Sequence, residues 1–470
     1  MADTWSLFLA GSFTERLRMV EDGQHSAELR NRLGHDAYAE YRRFAAALDD
    51  RHLGDVATNV VFVPGVMGSL LASDGYGGVW WLDIRSRNHI NDLRLAPDGQ
   101  GDADAHARIK PFAVDLSYEG FFAGVYATRM FRHEAFAYDW RKPLALSTQR
   151  FADHVVRVSV ELGGRPVHVV AHSMGGLMVR AALAAHPALW ARIDRIVFIG
   201  TPHYGAPAIA GYLKRHLWGW DALALLGRYL DRTTFRSLWG VLSLLPAPAG
   251  VYPGTRDAPS GDGHPCANFD LYDAGAWHLG LDPEAANRLQ RVLDAGRAQH
   301  EELYHAHVGL DQERRDRMAV IAGVGYRTLF ATAYKPAFGW GWEQMDRLTT
   351  RRPGNPHREG DGRVPLASAQ LEHVGETRYV RGEHGRLPSM SAVYEDVFRF
   401  LAGRSMRLPR TPQEALAGHL GDDGTAQAVA GPDADPGYLD FASPDQAHLE
   451  ALDHALGNGQ LLSFQQVRLL

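Results

Sequence analysis

Pro166-Val167-His168-Val169-Val170-Ala171-His172-Ser173-Met174-Gly175-Gly176-Leu177-Met178-Val179-Arg180 is the stretch that decides the fold. Pro166 to Ala171 is apolar and β-branched, the composition of a buried strand. Residues 176–186 carry apolar residues at helical spacing. Between them the chain turns on Ser173. A serine on so tight a strand-to-helix turn needs small residues two before and two after it, or their side chains collide. Ala171 and Gly175 meet that need, and Gly176 adds room. The turn exposes the Ser173 hydroxyl and aims it at a helix N-terminus, where backbone N–H groups can stabilise negative charge. An ordinary glycine-containing loop would need neither flank.

Outward from this turn, strands and helices alternate. Asn59 to Val63 is a short buried strand stopped by Pro64-Gly65, and Phe136 to Trp140 reads as a second strand end. Phe151 to Leu162 is an amphipathic helix, and Ile193 to Ile199 a strand closed by Gly200-Thr201-Pro202. Residues 205–315 break the rhythm with Trp218, Trp220, Trp239, Trp277 and the proline-rich stretch LLPAPAGVYPG. It returns at Arg317 to Ala322, with a last strand at Thr377 to Val380 and a closing helix over 388–402. This alternation predicts an α/β-hydrolase fold: a mainly parallel central sheet, helices on both faces, and an inserted cap. The expected divisions are a helical preface over 1–55, a core over 56–204 and 316–404, a cap over 205–315, and a tail over 405–470. In the tail, Thr411-Pro412-Gln413-Glu414 and Ser443-Pro444-Asp445-Gln446 both read as helix starts.

Serine at its ordinary acidity is a poor nucleophile, so Ser173 needs a base, and the base an orienting acid. In this fold the chain order is serine, acid, histidine. Asp361 in Gly360-Asp361-Gly362 and His384 in Gly382-Glu383-His384-Gly385 satisfy it. With 23 histidines present, His357 and His373 remain rivals for the base. The oxyanion donors expected are the backbone N–H groups of Val66, in Pro64-Gly65-Val66-Met67-Gly68, and Met174. Met67, His172, His203, Tyr204, Trp218 and Trp220 are candidates for the substrate pocket and cap, the last two on the aromatic and leucine-rich composition of 217–246.

Taken in order, VVFVPGVMGSLL, AYDWRKPL, VVAHSMGGLMVR, IGTPHYGA, AGVGYRT and GDGRVP resemble the lecithin:cholesterol acyltransferase family of lipid acyl hydrolases and acyltransferases, over residues 58–400. The resemblance implies that Ser173, Asp361 and His384 form a triad and that 205–315 caps a lipid-binding cleft. The family's extracellular members carry disulfides, which the single Cys266 forbids here. The resemblance does not extend to the tail beyond about residue 405, whose role stays open.

Composition excludes several classes. A net charge of −6 gives no basic field for nucleic acid. One cysteine cannot build a cysteine zinc site, and no cofactor or metal is expected. The apolar run in MADTWSLFLAGSFTERLRM is short and preceded by an acidic residue, unlike a signal peptide. With no window of about 18 apolar residues, we expect a cytoplasmic protein with no transmembrane segment, touching lipid surfaces only transiently. Ala322-Gly323-Val324-Gly325 lacks the third glycine of a dinucleotide loop and reads as a sheet-edge turn. His300, His305 and His307 read as a solvated helix face, and Asp139 with Arg141 as a buried structural pair beside Trp140. The function expected is serine-dependent hydrolysis of a hydrophobic acyl ester. Acyl transfer to an alcohol is the alternative, and a non-catalytic hydrolase-fold binding module the alternative of another class. A thioesterase or lactonase would share the site chemistry. Oligomeric state stays open.

Overall fold

Alternate residues of the central strands enter two different hydrophobic clusters. Val61, Val63, Ile196, Phe198, Met318 and Val320 join one, and Val60, Phe62, Val197, Ile199, Ala319 and Ile321 the other. A strand with both faces apolar can only sit in a sheet covered on both sides. The structure, a computed structural model, describes residues 4–46, 58–81, 90–128, 130–214, 230–255, 263–266, 268–326, 328–329, 331, 334–335, 344–345 and 360–417.

The strands are β1 (Val60–Val63), β2 (Ser69–Ser73), β3 (Val79–Trp81), β4 (Ile109–Val114), β5 (His133–Ala135), β6 (Val167–His172), β7 (Ile193–Ile199), β8 (Met318–Val324), β9 (Tyr334–Lys335), β10 (Gln344–Met345) and β11 (Glu376–Arg381). Six form one sheet in the order β11-β8-β7-β6-β1-β5, every pairing parallel. Helices Ala145–Glu161, Met174–Ala185 and Pro283–Val308 cover one face, contributing Phe151, Leu177 and Leu293 among others. Helices Glu119–Thr128 and Ser391–Leu401 cover the other, joined by the N-terminal helices Thr4–Ala10, Phe13–Asp22, Ser26–Leu33 and His35–Ala46. Phe13–Asp22 starts with a full capping box between Ser12 and Glu15. Its buried Arg16 lies 2.6 Å from the half-buried Glu119, which ties the N-terminal helices to Glu119–Thr128. Burial pushes the Glu119 carboxyl above its usual range, and Arg16 opposes that.

The second strand lies earlier than its aromatic residues suggest. β5 ends at Ala135, and Phe136 makes one last bond, its N–H donating to Phe62 O at 2.7 Å. Beyond it the chain leaves the sheet and packs on a three-stranded antiparallel sheet, β3-β2-β4, that the sequence reading misses. Trp140 Nε1 donates to Ser69 O at 3.1 Å, and the Trp140 and Trp81 rings cross at 5.1 Å. Pro111 within β4 hides that strand, because proline argues against sheet in a sequence. Arg141 is fully buried, forked onto Asp139 at 2.7 and 2.9 Å and reaching Asp102 at 2.9 Å, so the structural pair expected at this sheet end is a three-residue cluster.

Between β7 and β8 the chain runs through Ala208–Lys214, Arg232–Arg236, Trp239–Leu242 and the long helix Pro283–Val308. That helix packs on Met174–Ala185 and accepts a hydrogen bond from Arg180 Nη2 at Leu303 O, 2.9 Å. Its histidines correct the expectation of a solvated face. His300 and His307 are buried, with Nε2 donating to Leu245 O at 2.8 Å and Glu372 O at 2.7 Å; His305 alone is exposed. Seven-residue spacing placed both on the inward stripe. Helix Pro412–Ala417, one of the two starts expected in the tail, puts Ala415 into a small cluster with Ala322 and Val324. The start at Ser443 lies outside the described residues. Among the described residues no helix is long and apolar enough to cross a membrane.

Candidate active site

β6 delivers His172 and then Ser173, and the helix begins at Met174. Ser173 sits at φ 52°, ψ −131°, a left-sided backbone that a serine rarely adopts and that functional turns hold under strain. Small neighbours make it feasible: a Cβ on Gly175 would come within 2.4 Å of Pro64 O and 2.5 Å of Val63 O. The turn therefore nests against the end of β1.

Three side chains from three separate segments converge there. Ser173 Oγ lies 2.9 Å from His384 Nε2, and His384 Nδ1 lies 2.7 Å from Asp361 Oδ2. A carboxylate only accepts, so Nδ1 carries the proton and Nε2 accepts from the serine hydroxyl. Asp361 Oδ1 accepts from the N–H groups of Arg363 at 3.0 Å and Val364 at 2.7 Å, which fixes the carboxylate plane. The backbone repeats the pairing, since His384 N–H donates to Asp361 O at 2.9 Å. Ser173, Asp361 and His384 are 3%, 0% and 1% exposed, so the site lies in a water-poor interior.

Asp361 is held beside the end of β8 by a parallel bridge to Tyr326, the second residue after that strand. The Gly-x-Gly at 323–325 serves this placement rather than an edge turn. Gly323 lies inside β8, and a Cβ there would stand 2.5 Å from Asp361 Cβ. Of the rival bases, His373 is exposed in a loop at φ 57°, and His357 lies outside the described residues.

The candidate oxyanion donors flank the serine. Met174 is the first residue of its helix, and its N–H therefore has no partner within the helix. Gly65 approaches so closely that a Cβ on it would meet Ser173 Cβ at 2.9 Å, so the loop that leads into Val66 packs against the serine turn. Met67 follows at φ 62°, its carbonyl accepting from Trp81 Nε1 at 2.9 Å. His172 stacks obliquely on His384, ring centroids 4.8 Å apart. His203 and Tyr204 are tied into the scaffold: the His203 ring meets Phe198 at 5.1 Å, its carbonyl accepts from Arg180, and Tyr204 N–H donates to Ser368 Oγ at 3.1 Å. Trp218 and Trp220 lie outside the described residues. Gly240 N–H donates to Arg141 O at 2.9 Å, and a Cβ on Gly240 would stand 3.1 Å from Met174 Cε. Part of the β7–β8 insertion thus packs against Arg141 and against the residue that follows Ser173.

Residues 127–246 match the sequence model of the lecithin:cholesterol acyltransferase family. Over that segment the chain is similar to this family, and its six-stranded parallel sheet covered by helices on both faces has the α/β-hydrolase fold. The match spans β5, β6, the serine turn, β7 and the first part of the insertion; the Gly65 loop, Asp361 and His384 lie outside it. No curated protein matches this α/β-hydrolase. In shape it is similar to a chain of the Tle4–Tli4 complex, at 14% identity over 74% of this chain and 97% of that one, TM-score 0.48. It is also similar to the mature lipase BlEst2 of Bacillus licheniformis, at 15% identity over 74% and 92%, TM-score 0.36. The carboxylesterase CesB of Bacillus subtilis aligns at 13% identity over 75% and 86%, TM-score 0.29.

One further residue of this α/β-hydrolase's candidate site carries no signal in the sequence. Tyr118, in the turn Leu116–Tyr118, places its hydroxyl 2.9 Å from His172 Nδ1 and 3.0 Å from Gly65 N. No local motif marks it, because its role comes from a contact 54 residues away.

Proposed function

We propose that this chain hydrolyses a hydrophobic acyl ester through an acyl-serine intermediate, with Ser173 as nucleophile, His384 as base and acid, and Asp361 as the residue that orients His384. The observation that carries the reading is the continuous Ser173–His384–Asp361 hydrogen-bond chain at 2.9 and 2.7 Å. A binding module has no use for such a chain on a strained turn.

Ser173 Oγ attacks the ester carbonyl as its proton passes to His384 Nε2. Asp361 accepts from Nδ1 and stabilises the imidazolium that forms. The carbonyl oxygen gathers negative charge in front of the Met174 and Val66 amides. His384 then gives the proton to the leaving alkoxide as the C–O bond breaks. Water, deprotonated by the same Nε2, attacks the acyl carbon; the C–Oγ bond breaks, Ser173 takes the proton back from His384, and the acid is released.

Transfer to an alcohol is a second reading, favoured by the near-complete burial of all three side chains. Transfer needs an acceptor to outcompete water at tens of molar, which a dry pocket permits. In dilute buffer we expect hydrolysis, with ester product appearing only when a long-chain alcohol or sterol is supplied. The test follows p-nitrophenyl esters of graded chain length with wild-type protein and with Ser173→Ala, alone and with a long-chain alcohol. Turnover abolished in Ser173→Ala and rising with chain length supports the proposal. Turnover unchanged in Ser173→Ala removes it, and ester product dominating at micromolar alcohol makes the protein an acyltransferase.

A further inference from the structure

The hydroxyl of Tyr118 stands between the loop that precedes Val66 and the residue that precedes Ser173. The direction of each bond around it follows from chemistry. His172 Nε2 lies 3.0 Å from His384 O, and a carbonyl only accepts, so Nε2 carries a proton. Burial, and secondarily the neighbouring His384, holds His172 well below the usual imidazole range, so it is neutral and Nδ1 carries a lone pair. Tyr118 must then donate to Nδ1, at 2.9 Å. Its oxygen in turn accepts the Gly65 N–H, at 3.0 Å. Burial pushes the Tyr118 phenol far above its usual range, so the proton needed for this donation stays in place.

The result is a one-way chain: Gly65 N–H to Tyr118 oxygen, Tyr118 O–H to His172 Nδ1, His172 Nε2–H to His384 O. The backbone is shaped around it. A Cβ on Gly68 would stand 2.8 Å from the Tyr118 oxygen, and one on Gly65 would stand 3.3 Å from His172 Nδ1. The second glycine of Pro64-Gly65-Val66-Met67-Gly68 thus makes room for Tyr118 rather than for substrate. The turn that holds Tyr118 is fastened at both ends. Asp115 N–H donates to Gly68 O at 2.9 Å, and Ser389 Oγ, beyond His384, donates to Ser117 O at 3.1 Å.

We propose that Tyr118 and His172 are positioning residues that fix the loop carrying the Val66 amide relative to the backbone of His384. This rests on the acyl-serine reading above. Neither side chain forms or breaks a bond with substrate. Together they hold the oxyanion donor and the base in one frame, so that charge developing on the carbonyl oxygen meets an amide already in place.

Tyr118→Phe removes the donor to His172 and the acceptor for Gly65 while keeping the ring, 4.9 Å from Phe62. Losing one oxyanion donor outright costs about 10²–10³ in kcat, so a loosened one should cost about tenfold. We expect kcat to fall by about that factor, KM to stay within about twofold, and a boronic acid that mimics the tetrahedral intermediate to bind weaker by the same factor as kcat. His172→Gln, which keeps a donor and an acceptor, should retain most of the rate that His172→Leu loses. A structural lesion would lower the active fraction and leave the inhibitor's affinity unchanged. Histidine-labelled nitrogen NMR on the full chain gives a readout independent of turnover: His172 should show a protonated Nε2 and an unprotonated Nδ1 whose resonance moves downfield in Tyr118→Phe. A protonated Nδ1 on His172, or wild-type kcat and boronate affinity in Tyr118→Phe, overturns the proposal. Ser173→Ala in the same assay separates the two levels. If it is inactive while Tyr118→Phe is unimpaired, positioning alone fails; if it keeps full activity, the hydrolase reading fails and the proposal with it.

Discussion

Gly65 and Ser173 touch: a single methyl group added to Gly65 would stand 2.9 Å from the serine Cβ and 3.4 Å from its hydroxyl oxygen. The loop before Val66 and the serine turn are therefore packed directly against each other, with no room for a methyl group between them. Gly65→Ala should force them apart, costing about 1–3 kcal/mol of stability by overpacking and lowering kcat more than it raises KM. Urea denaturation with steady-state kinetics checks this; unaltered kcat would mean that the loop does not present an oxyanion donor.

Asp361→Asn removes charge but keeps shape, and it puts an amide against donors. Oδ1 faces two backbone N–H groups, so the Asn oxygen will take that side and its NH2 will face His384 Nδ1. Nδ1 must then accept, the proton moves to Nε2, and the base is blocked toward Ser173. A loss of about 10⁴ in kcat is expected, as for the wrong tautomer in other triads. It should be non-additive with Ser173→Ala. A loss under tenfold would remove Asp361 from its role.

Arg141 predicts a stability effect without a chemical one. Arg141→Leu leaves Asp139 and Asp102 buried without their fork, which costs about 3–5 kcal/mol. Arg141→Lys should cost less but not nothing, since an ammonium cannot fork. The urea midpoint measures both. A stable but inactive Arg141→Leu protein would instead place the guanidinium in the chemistry.

Buried histidines set a pH dependence. Burial pushes His300 and His307 down to about 4, while the unfolded chain titrates near the ordinary value of 6.5. Between those values the unfolded state binds protons that the native state refuses. Stability therefore falls as pH drops from 6.5 toward 4 and is fully present above 6.5. Each such group gives a slope of about 1.4 kcal/mol per pH unit at most, and His133, His168, His172 and His203, which burial also holds low, act in the same direction. His300→Gln, which can still donate to Leu245 O, should lower the slope by one such group's share, about 1.4 kcal/mol per pH unit at most. Urea midpoints equal at pH 7 and pH 5 would contradict this.

Much of the site was legible because its chemistry is local. Ala171, Ser173 and Gly175 announce the turn by themselves, and the order of Asp361 and His384 along the chain follows from the fold. β7 reads as Ile193 to Ile199, the same bounds that the structure gives. What was illegible depends on distant contacts. Pro111 masks β4 because its partner strand lies some forty residues earlier, and Phe136 to Trp140 look like strand because their burial comes from another sheet. Tyr118 carries no motif at all, since only folding brings it to His172. His300 and His307 looked solvated because they are polar residues on a stripe that also holds Leu289, Val292, Leu293 and Leu303, and the carbonyls that satisfy them are 55 and 65 residues away.

The central claim is that Ser173 is the nucleophile. Fluorophosphonate labelling of the full-length protein, read by intact mass and peptide mapping, tests it most directly. The account predicts one adduct per chain, on Ser173, formed with loss of esterase activity and absent in both Ser173→Ala and His384→Ala. No adduct on wild-type protein, or an adduct on another residue that Ser173→Ala leaves in place, would contradict it.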